Sequence, residues 1–370
     1  MPRKARTIAD VHRKIAGTAS KGRGSRRRIS DNGLDKREVT AAVCKYLCQG
    51  YSATETAELM KKNHGVEMSR EKPYEYFAYA ASHQWLRYKA PPEVTIRQHL
   101  RDRYTWLTDL EVVHTAVYDD VAYHGAEMLI NLLKRHHQTG KKAVHVGFAG
   151  GYAMRKLAHV FADLLRQPTE GLPGTLVAHA LSSGFDPHTP STAPSAFFTW
   201  LLKDASMQID TEFVGFEDPP IMRDSAIRAR KNIGGVRESY THAADLDIIV
   251  TSASCWDDPH SSLYRHLSRD TRLVQMLEKK ADCHGDMLWQ PLSANGWLEP
   301  LPPEIEALTV VKLSQLPSFI KDEGKDVLLI IGPCGGCNKP QTGILDTILG
   351  LDEHLINHLV VDSRTAAQAL

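Results

Sequence analysis

Two turns built from small residues stand where apolar runs end, and residues of that kind at such places do one chemistry well. Val144-His145-Val146-Gly147-Phe148 leads into Ala149-Gly150-Gly151-Tyr152 and a helical segment at 153–166, while Val327 to Ile331 leads into Gly335, Gly336 and Lys339. Backbone N–H groups unshielded by Cβ atoms approach an anion closely, a following helix N-terminus favours negative charge, and one lysine adds a cation. A bound phosphate is the simplest guest. Gly147, Gly150, Gly151, Gly335, Gly336 and Lys339 are therefore candidate anion-binding residues. The glycines do not fall in a G-x-G-x-x-G pattern, nor does the first turn carry the lysine of a nucleotide P-loop, so neither dinucleotide nor ATP, and no other cofactor, is expected. The competing reading is a tight strand-to-helix turn without a ligand.

Other chemistry is thinner. An isomerase or deaminase needs a carboxylate or histidine base near a substrate C–H or hydroxyl, and Asp286, His284 and Asp362 are the placed candidates. Cys334-Gly335-Gly336-Cys337 is a C-x-x-C, but a zinc site needs four ligands, and Cys283-His284 is the only other attractive pair in sequence. No metal is expected. Cys44 and Cys48, one helical turn apart, read as small buried side chains.

The elements that must position these residues alternate. Strand-like runs at 110–113, 144–148, 176–181, 213–216, 246–250, 310–313, 327–331 and 359–361 are interleaved with helical stretches such as 96–107 and 119–137. Runs that are apolar throughout bury both faces, which marks a parallel sheet covered on both sides. In such sheets ligands bind beyond the strand C-termini. Gly285-Asp286-Met287-Leu288 with Asn295-Gly296 reads as a hairpin insertion. The fold class is α/β: a small all-α domain followed by a mostly parallel, doubly wound, Rossmann-like domain.

Length, 370 residues, allows two domains and an extension. No run approaches the roughly 20 apolar residues of a membrane span, and the basic start is no signal peptide, so a cytoplasmic protein with reduced cysteines and no membrane partner is expected. Residues 1–30 carry a net charge of +9 within a chain of net +1, leaving −8 for the remainder. Residues 1–33 are thus an arm attracted to polyanions, Arg26, Arg27 and Arg28 above all, or else a solubilising tail.

Residues 34–92 read as three helices. Val39, Val43, Tyr46 and Leu47 form a stripe stopped by Gly50; Ser52 and Glu55 make a capping box; Tyr74, Phe77, Ala78, Ala81 and Trp85 lie on one face of the third. That spacing suits a helix-turn-helix, with Ser52, Ser69, Arg70, Lys72 and Tyr74 as candidate contacts to double-stranded DNA, and equally a small helical bundle. Pro73 is tolerated if the third helix starts beside it and distorts the reading end if it starts at Ser69.

The order of Leu100-Arg101-Asp102-Arg103-Tyr104, Leu110-Glu111-Val112-Val113, Val146-Gly147-Phe148-Ala149-Gly150-Gly151, Ala244-Asp245-Leu246-Asp247-Ile248-Ile249-Val250, Gly285-Asp286-Met287-Leu288, Gly335-Gly336-Cys337-Asn338-Lys339 and Val361-Asp362-Ser363-Arg364-Thr365-Ala366 resembles the effector domain of SorC/DeoR-type transcriptional regulators. The resemblance covers roughly residues 36–370. It implies a sugar-phosphate isomerase/deaminase-like effector and oligomerisation domain over 93–370, a phosphorylated sugar or similar small anion as effector, with the loop Gly147 to Tyr152, Asp286, Gly335, Gly336 and Lys339 as its contacts, and an even-numbered oligomer, dimer or tetramer, on DNA. Two departures stand out: Gly151-Tyr152-Ala153 replaces an arginine or threonine pair, and Ser363-Arg364 replaces an acidic residue and alanine. An enzyme using Asp286, or an assembly module that lost its ligand, are the alternatives.

Overall fold

The computed structural model describes residues 36–370 except 84, 87–88, 184–188, 216–235, 280–281 and 307–308. Arg26, Arg27, Arg28 and the rest of the arm lie outside the described residues, as do Gly184 and Asp218-Pro219-Pro220. The chain divides into two units, one ending at Tyr88 and one spanning Lys89–Leu370.

In the first unit, helices Lys36–Cys48, Ala53–His64 and Lys72–Ser82 enclose Val39, Val43, Met60 and Val66. The expected capping box is present: the Glu55 N–H donates to Ser52 Oγ at 3.3 Å, and the Ser52 N–H to Glu55 Oε2 at 2.8 Å. Gly65 then ends the second helix at φ 66°, a left-handed position that glycine adopts without strain. The third helix begins at Lys72, with Pro73 in its first turn, where a missing N–H costs nothing, so its start is undistorted. Its stripe runs opposite to expectation. Pro73, Tyr76 and Ala80 pack inward, whereas Tyr74, Phe77 and Trp85 are exposed. The helix has two apolar faces, and periodicity alone picked the longer one.

In the second unit, seven parallel strands form one sheet: β1 (Asp109–Val113), β2 (Ala143–Phe148), β3 (Thr175–Ala180), β4 (Asp210–Val214), β5 (Ile248–Thr251), β10 (Asp326–Ile331) and β11 (His358–Asp362). The spatial order is β1-β11-β10-β5-β2-β3-β4. From β2 the chain winds outward through β3 to β4, then returns to β5 and winds the other way through β10 to β11. The switch point falls between β2 and β5. Residues of β5 and β11 are buried throughout, as a doubly covered sheet requires. The hairpin expected around 285–296 is a four-stranded antiparallel sheet, β6 (Ala253–Cys255), β7 (Gly285–Met287), β8 (Gln290–Ser293) and β9 (Gly296–Trp297). The strand expected at 310–313 is absent: Thr309 makes one bridge to Ser182, and Val310, Val311 and Leu313 are buried in a segment without a ladder. Pro92, read as a linker residue, bridges to Val113 at the sheet's edge. No helix among the described residues is long and apolar enough to cross a membrane.

The N-terminal ends of three neighbouring strands are pinned by charge. Fully buried His358 opens β11 between two carboxylates, Asp326 Oδ1 at 2.8 Å from Nε2 and Asp109 Oδ2 at 2.8 Å from Nδ1, the second at an angle that makes it an ion pair more than a hydrogen bond. His136 adds a contact to Asp326 at 2.8 Å, and Arg135 pairs with Asp109. Burial by itself lowers the His358 pKa, but the two carboxylates outweigh it and raise the net value. The His358 contact is the main reason Asp109 falls to about 2; Asp326, although its burial opposes this, is held low by His136 and His358. The carboxylates thus stabilise the fold above the ordinary carboxylate range of about 4 and lose that contribution as pH falls through their depressed values. His358 contributes fully below about 6.5 and loses its contribution as pH rises through its raised value. The contribution of this cluster to thermal stability is expected to plateau between about pH 4 and 6.5. In melts of His358→Gln the deficit against wild type should shrink from pH 6 to pH 9; an equal deficit at both would show that charge is not what the histidine supplies.

Candidate functional site

Three strand ends beside the switch point converge. After β2 the backbone holds Ala149 by its N–H to Val250 O, 3.0 Å, and Gly151 by its N–H to Thr192 O, 2.8 Å. Gly151 takes φ 118°, which L side chains rarely adopt, and a Cβ on Gly150 would lie 2.6 Å from Ser182 Oγ. Both glycines are there because the turn is tight and crowded. It opens the helix Tyr152–Leu165, whose first N–H groups have no partner within the helix. After β5 come Thr251 to Ser254, and after β10 come Gly332 to Gly336. Together they line a cleft of about 340 Å³ that includes Gly150, Gly151, Tyr152, Asp286, Gly335 and Gly336. Tyr152 stands half-exposed at one wall, its ring 2.6 Å from where a Gly335 Cβ would be, and leaves the cleft open.

Asp286 arrives on β7. It is buried and accepts hydrogen bonds from Ser254 Oγ at 2.6 Å and Ser261 Oγ at 3.2 Å. Burial pushes its carboxyl up to about 6 against those two donations, with help from the charge of Asp258. The β7–β8 hairpin that carries it turns on Leu288 and Trp289, at φ 51° and 62°. Bulky residues in that left-handed region cost on the order of 1–3 kcal/mol each, and both side chains line the cleft. The turn expected at Asn295-Gly296 is the next one along the chain, between β8 and β9.

Two candidates lie elsewhere. Gly147 is inside β2, where a Cβ would meet the Leu181 side chain at 2.8 Å, so its smallness serves core packing. Lys339 is exposed and is not among the residues lining the cleft; its carbonyl accepts from the Cys334 N–H at 2.8 Å. The arginine on the lining is Arg265, which sequence reasoning missed, while Arg155 reaches Ser191 Oγ at 3.3 Å instead. Tyr118, also missed, presents a buried hydroxyl with no hydrogen-bond partner among the described residues. Neither had a spacing signal to find it by: Tyr118 opens a helix distant in sequence from the glycine turns, and Arg265 sits on a short helix, Ser262–Leu267, that no apolar periodicity announces.

The base candidates are dispersed. His284 Nδ1 lies 2.7 Å from Thr347 Oγ1, whose hydroxyl donates to Gly343 O, on a separate surface hollow, and Asp362 is fully buried as the cap of helix Ser363–Gln368. Only Asp286 faces the cleft. In the helical unit Ser52 is committed to capping, Lys72 pairs with Glu75 at 2.5 Å, and Ser69, Arg70 and Tyr74 are exposed at the start of the third helix. The C-x-x-C cysteines are joined by Asp258 and His260, not by Cys283 and His284: one ligand atom from each of Asp258, His260, Cys334 and Cys337 lies within 4.8 Å of the others. Burial, then Asp258, pushes the Cys334 thiol up to about 12.

A three-helix unit ahead of a doubly wound sheet, with its cleft at the switch point and an antiparallel insertion beside it, is the fold of SorC/DeoR-type transcriptional regulators. Among solved structures the chain is similar to the full-length sorbitol operon regulator SorC from Klebsiella pneumoniae, with a TM-score of 0.64 at 14% identity over 91% of this chain and 99% of that one. It is also similar to a DeoR family transcriptional regulator from Listeria monocytogenes, with a TM-score of 0.54 at 17% identity over 75% and 99%. A domain of a possible sugar-binding transcriptional regulator from Arthrobacter aurescens TC1 gives a TM-score of 0.54 at 16% identity over 74% and 95%. No family model and no curated protein matches the sequence. At these identities the likeness establishes the fold, and to that extent the resemblance in motif order is borne out.

The raised Asp286 carboxyl has a measurable consequence. Because its folded value lies above the ordinary carboxylate pKa of about 3.9, ionising it costs the fold, and stability is lost as pH rises from about 4 through 6. Asp286→Asn keeps an acceptor oxygen for the two serines and removes the charge. Urea midpoints should show it gaining on wild type between pH 4 and pH 7.5, by roughly 2–3 kcal/mol at most. A difference that does not move with pH would mean that Asp286 has the same pKa folded and unfolded, so that burial does not raise it.

Proposed function

We propose that the protein is a DNA-binding transcriptional regulator whose sheet domain binds a phosphorylated sugar or a related small anion in the switch-point cleft, and that occupancy alters operator binding. The observation that carries this reading is the convergence of the 149–152, 251–254 and 332–336 turns on one cleft at a helix N-terminus. The phosphate would sit against the first N–H groups of helix Tyr152–Leu165, with Arg265 as counter-charge. Sugar hydroxyls would pair with Asp286 and with Tyr118, whose hydroxyl lacks a protein partner among the described residues. The three-helix unit would meet double-stranded DNA through Ser69, Arg70 and Tyr74, with the basic arm supplying phosphate contacts and a homodimer or homotetramer pairing half-sites. A ligand preferring one arrangement of the oligomer shifts its population only by its difference in affinity for the two.

Duplex binding by the full chain is expected at about 50 mM salt, weakening steeply as salt rises. In thermal melts a sugar phosphate at 100 times its Kd should add about 2.7 kcal/mol, and the same compound should change affinity for the operator. Absence of duplex binding at the low salt would remove the regulator, and a melting temperature that ribose-, fructose- and glucosamine-phosphates all leave unmoved would remove the sensor.

A further inference from the structure

Four side chains at the mouth of the cleft have the donor chemistry of a transition-metal centre, and each loop that carries them is fixed before any ion arrives. Asp258 is buried, with Oδ2 accepting from Gln341 Nε2 at 2.9 Å. Gln341 is itself held, its Oε1 accepting the Cys255 N–H at 2.7 Å and its own N–H donating to Thr365 Oγ1 at 3.3 Å. Asp258 Oδ1 is thereby aimed outward; it accepts the His260 N–H at 2.9 Å and lies 3.2 Å from His260 Nδ1 and 3.9 Å from Cys337 Sγ. An outer partner that orients a ligating carboxylate in this way is what metal sites use to fix ligand direction.

The cysteine loop is clasped on itself. The Asn338 N–H donates to Cys334 O at 2.8 Å, and the Cys334 N–H returns to Lys339 O at 2.8 Å. Asn338 takes φ 60°, a left-handed position asparagine tolerates, and Arg364, one of the departures from the regulator pattern, donates to its carbonyl at 2.7 Å. The Gly336 N–H points at Cys334 Sγ, 3.4 Å away, a contact that favours a thiolate. A Cβ on Gly336 would lie 2.3 Å from the His260 ring, so glycine here lets the imidazole lie over the loop.

We propose that Asp258, His260, Cys334 and Cys337 bind a divalent metal ion of the zinc class, which ties the 258–260 loop to the 334–337 loop at the mouth of the cleft. Two sulfurs, one imidazole nitrogen and one carboxylate oxygen suit a borderline-soft ion. Calcium and magnesium take oxygen ligands, and an iron–sulfur cluster takes four cysteines, or two with two histidines, where this group has two cysteines and one histidine. Bonds of about 2.0–2.3 Å place tetrahedral ligands roughly 3.3–3.8 Å apart. Atoms already within 4.8 Å of one another reach that spacing by contraction of about 1 Å in two partly exposed side chains, His260 and Cys337. Metal–sulfur bonds form as the two thiol protons leave to solvent. With four protein ligands the ion is closed to substrate, and its role is to clamp loops. The site stands whether or not the cleft takes a sugar phosphate.

The test uses the full chain, reduced, stripped with a chelator and titrated with Co²⁺ and then Zn²⁺. Expected are one equivalent per chain, thiolate-to-cobalt charge-transfer absorption with tetrahedral d–d bands, displacement by Zn²⁺, and a rise in melting temperature. Cys334→Ser with Cys337→Ser should abolish the charge-transfer band. His260→Ala, a partly exposed position whose metal-free melt should match wild type, should weaken Co²⁺ by at least the roughly 10–100-fold that even an outer-shell loss costs. A wild-type titration without the charge-transfer band overturns the proposal. So does a band that persists in the double serine variant, which would place the metal at other cysteines, or one indifferent to His260.

Discussion

A parallel sheet buried on both faces leaves only its ends for polar chemistry, and this constraint organises the second unit. Ile248, Ile249, Val250, Leu359, Val360 and Val361 meet no water, so nothing on the strand faces can touch a ligand. The two ends are used in opposite ways. At the N-terminal ends, Asp109, His358 and Asp326 lock three neighbouring strands with compensating charge. At the C-terminal ends the turns stay short, small and open, and the cleft results.

The antiparallel insertion completes what the parallel strands cannot. A strand running out of a parallel sheet delivers backbone and turn residues to the switch point but no long side chain from across it. The β6–β9 sheet crosses that gap, bringing Asp286 against Ser254 and Ser261 and pushing Leu288 and Trp289 into the wall. The left-handed backbone of those two bulky residues is tolerated because packing on both sides fixes it. Strain concentrated beside a cleft fits a site whose shape is imposed by its surroundings. The same loops that shape the mouth of the cleft also gather Asp258, His260, Cys334 and Cys337, so the geometry of one depends on the other.

The helical unit shows how far local pattern carries. Ser52 and Glu55 form the capping box that their spacing announces, and Gly65 ends the helix as a left-handed cap. Those are interactions within one turn of chain, and residue types suffice to specify them. The inward face of the third helix was not legible, because Pro73 and Ala80 are buried and Tyr76 packs on the cluster of Val39, Val43 and Met60, residues that no spacing rule connects to them.

The sequence by itself determined the seven strands of the parallel sheet, with one at 310–313 that does not form, the glycine turns at 150–151 and 335–336, and the order of elements that fixes the fold. Apolar runs and turn residues act over a few positions, and a chain that must bury such runs on both faces has few ways to do so. Only the tertiary structure decided which residues share the cleft. Arg265 and Tyr118 enter it while Lys339 and Gly147 stay out, and Asp258 with His260 replaces Cys283 with His284 beside the cysteine loop. These outcomes depend on where separate loops are carried by strand order and register, and distance in space across that sheet leaves no periodic trace along the chain.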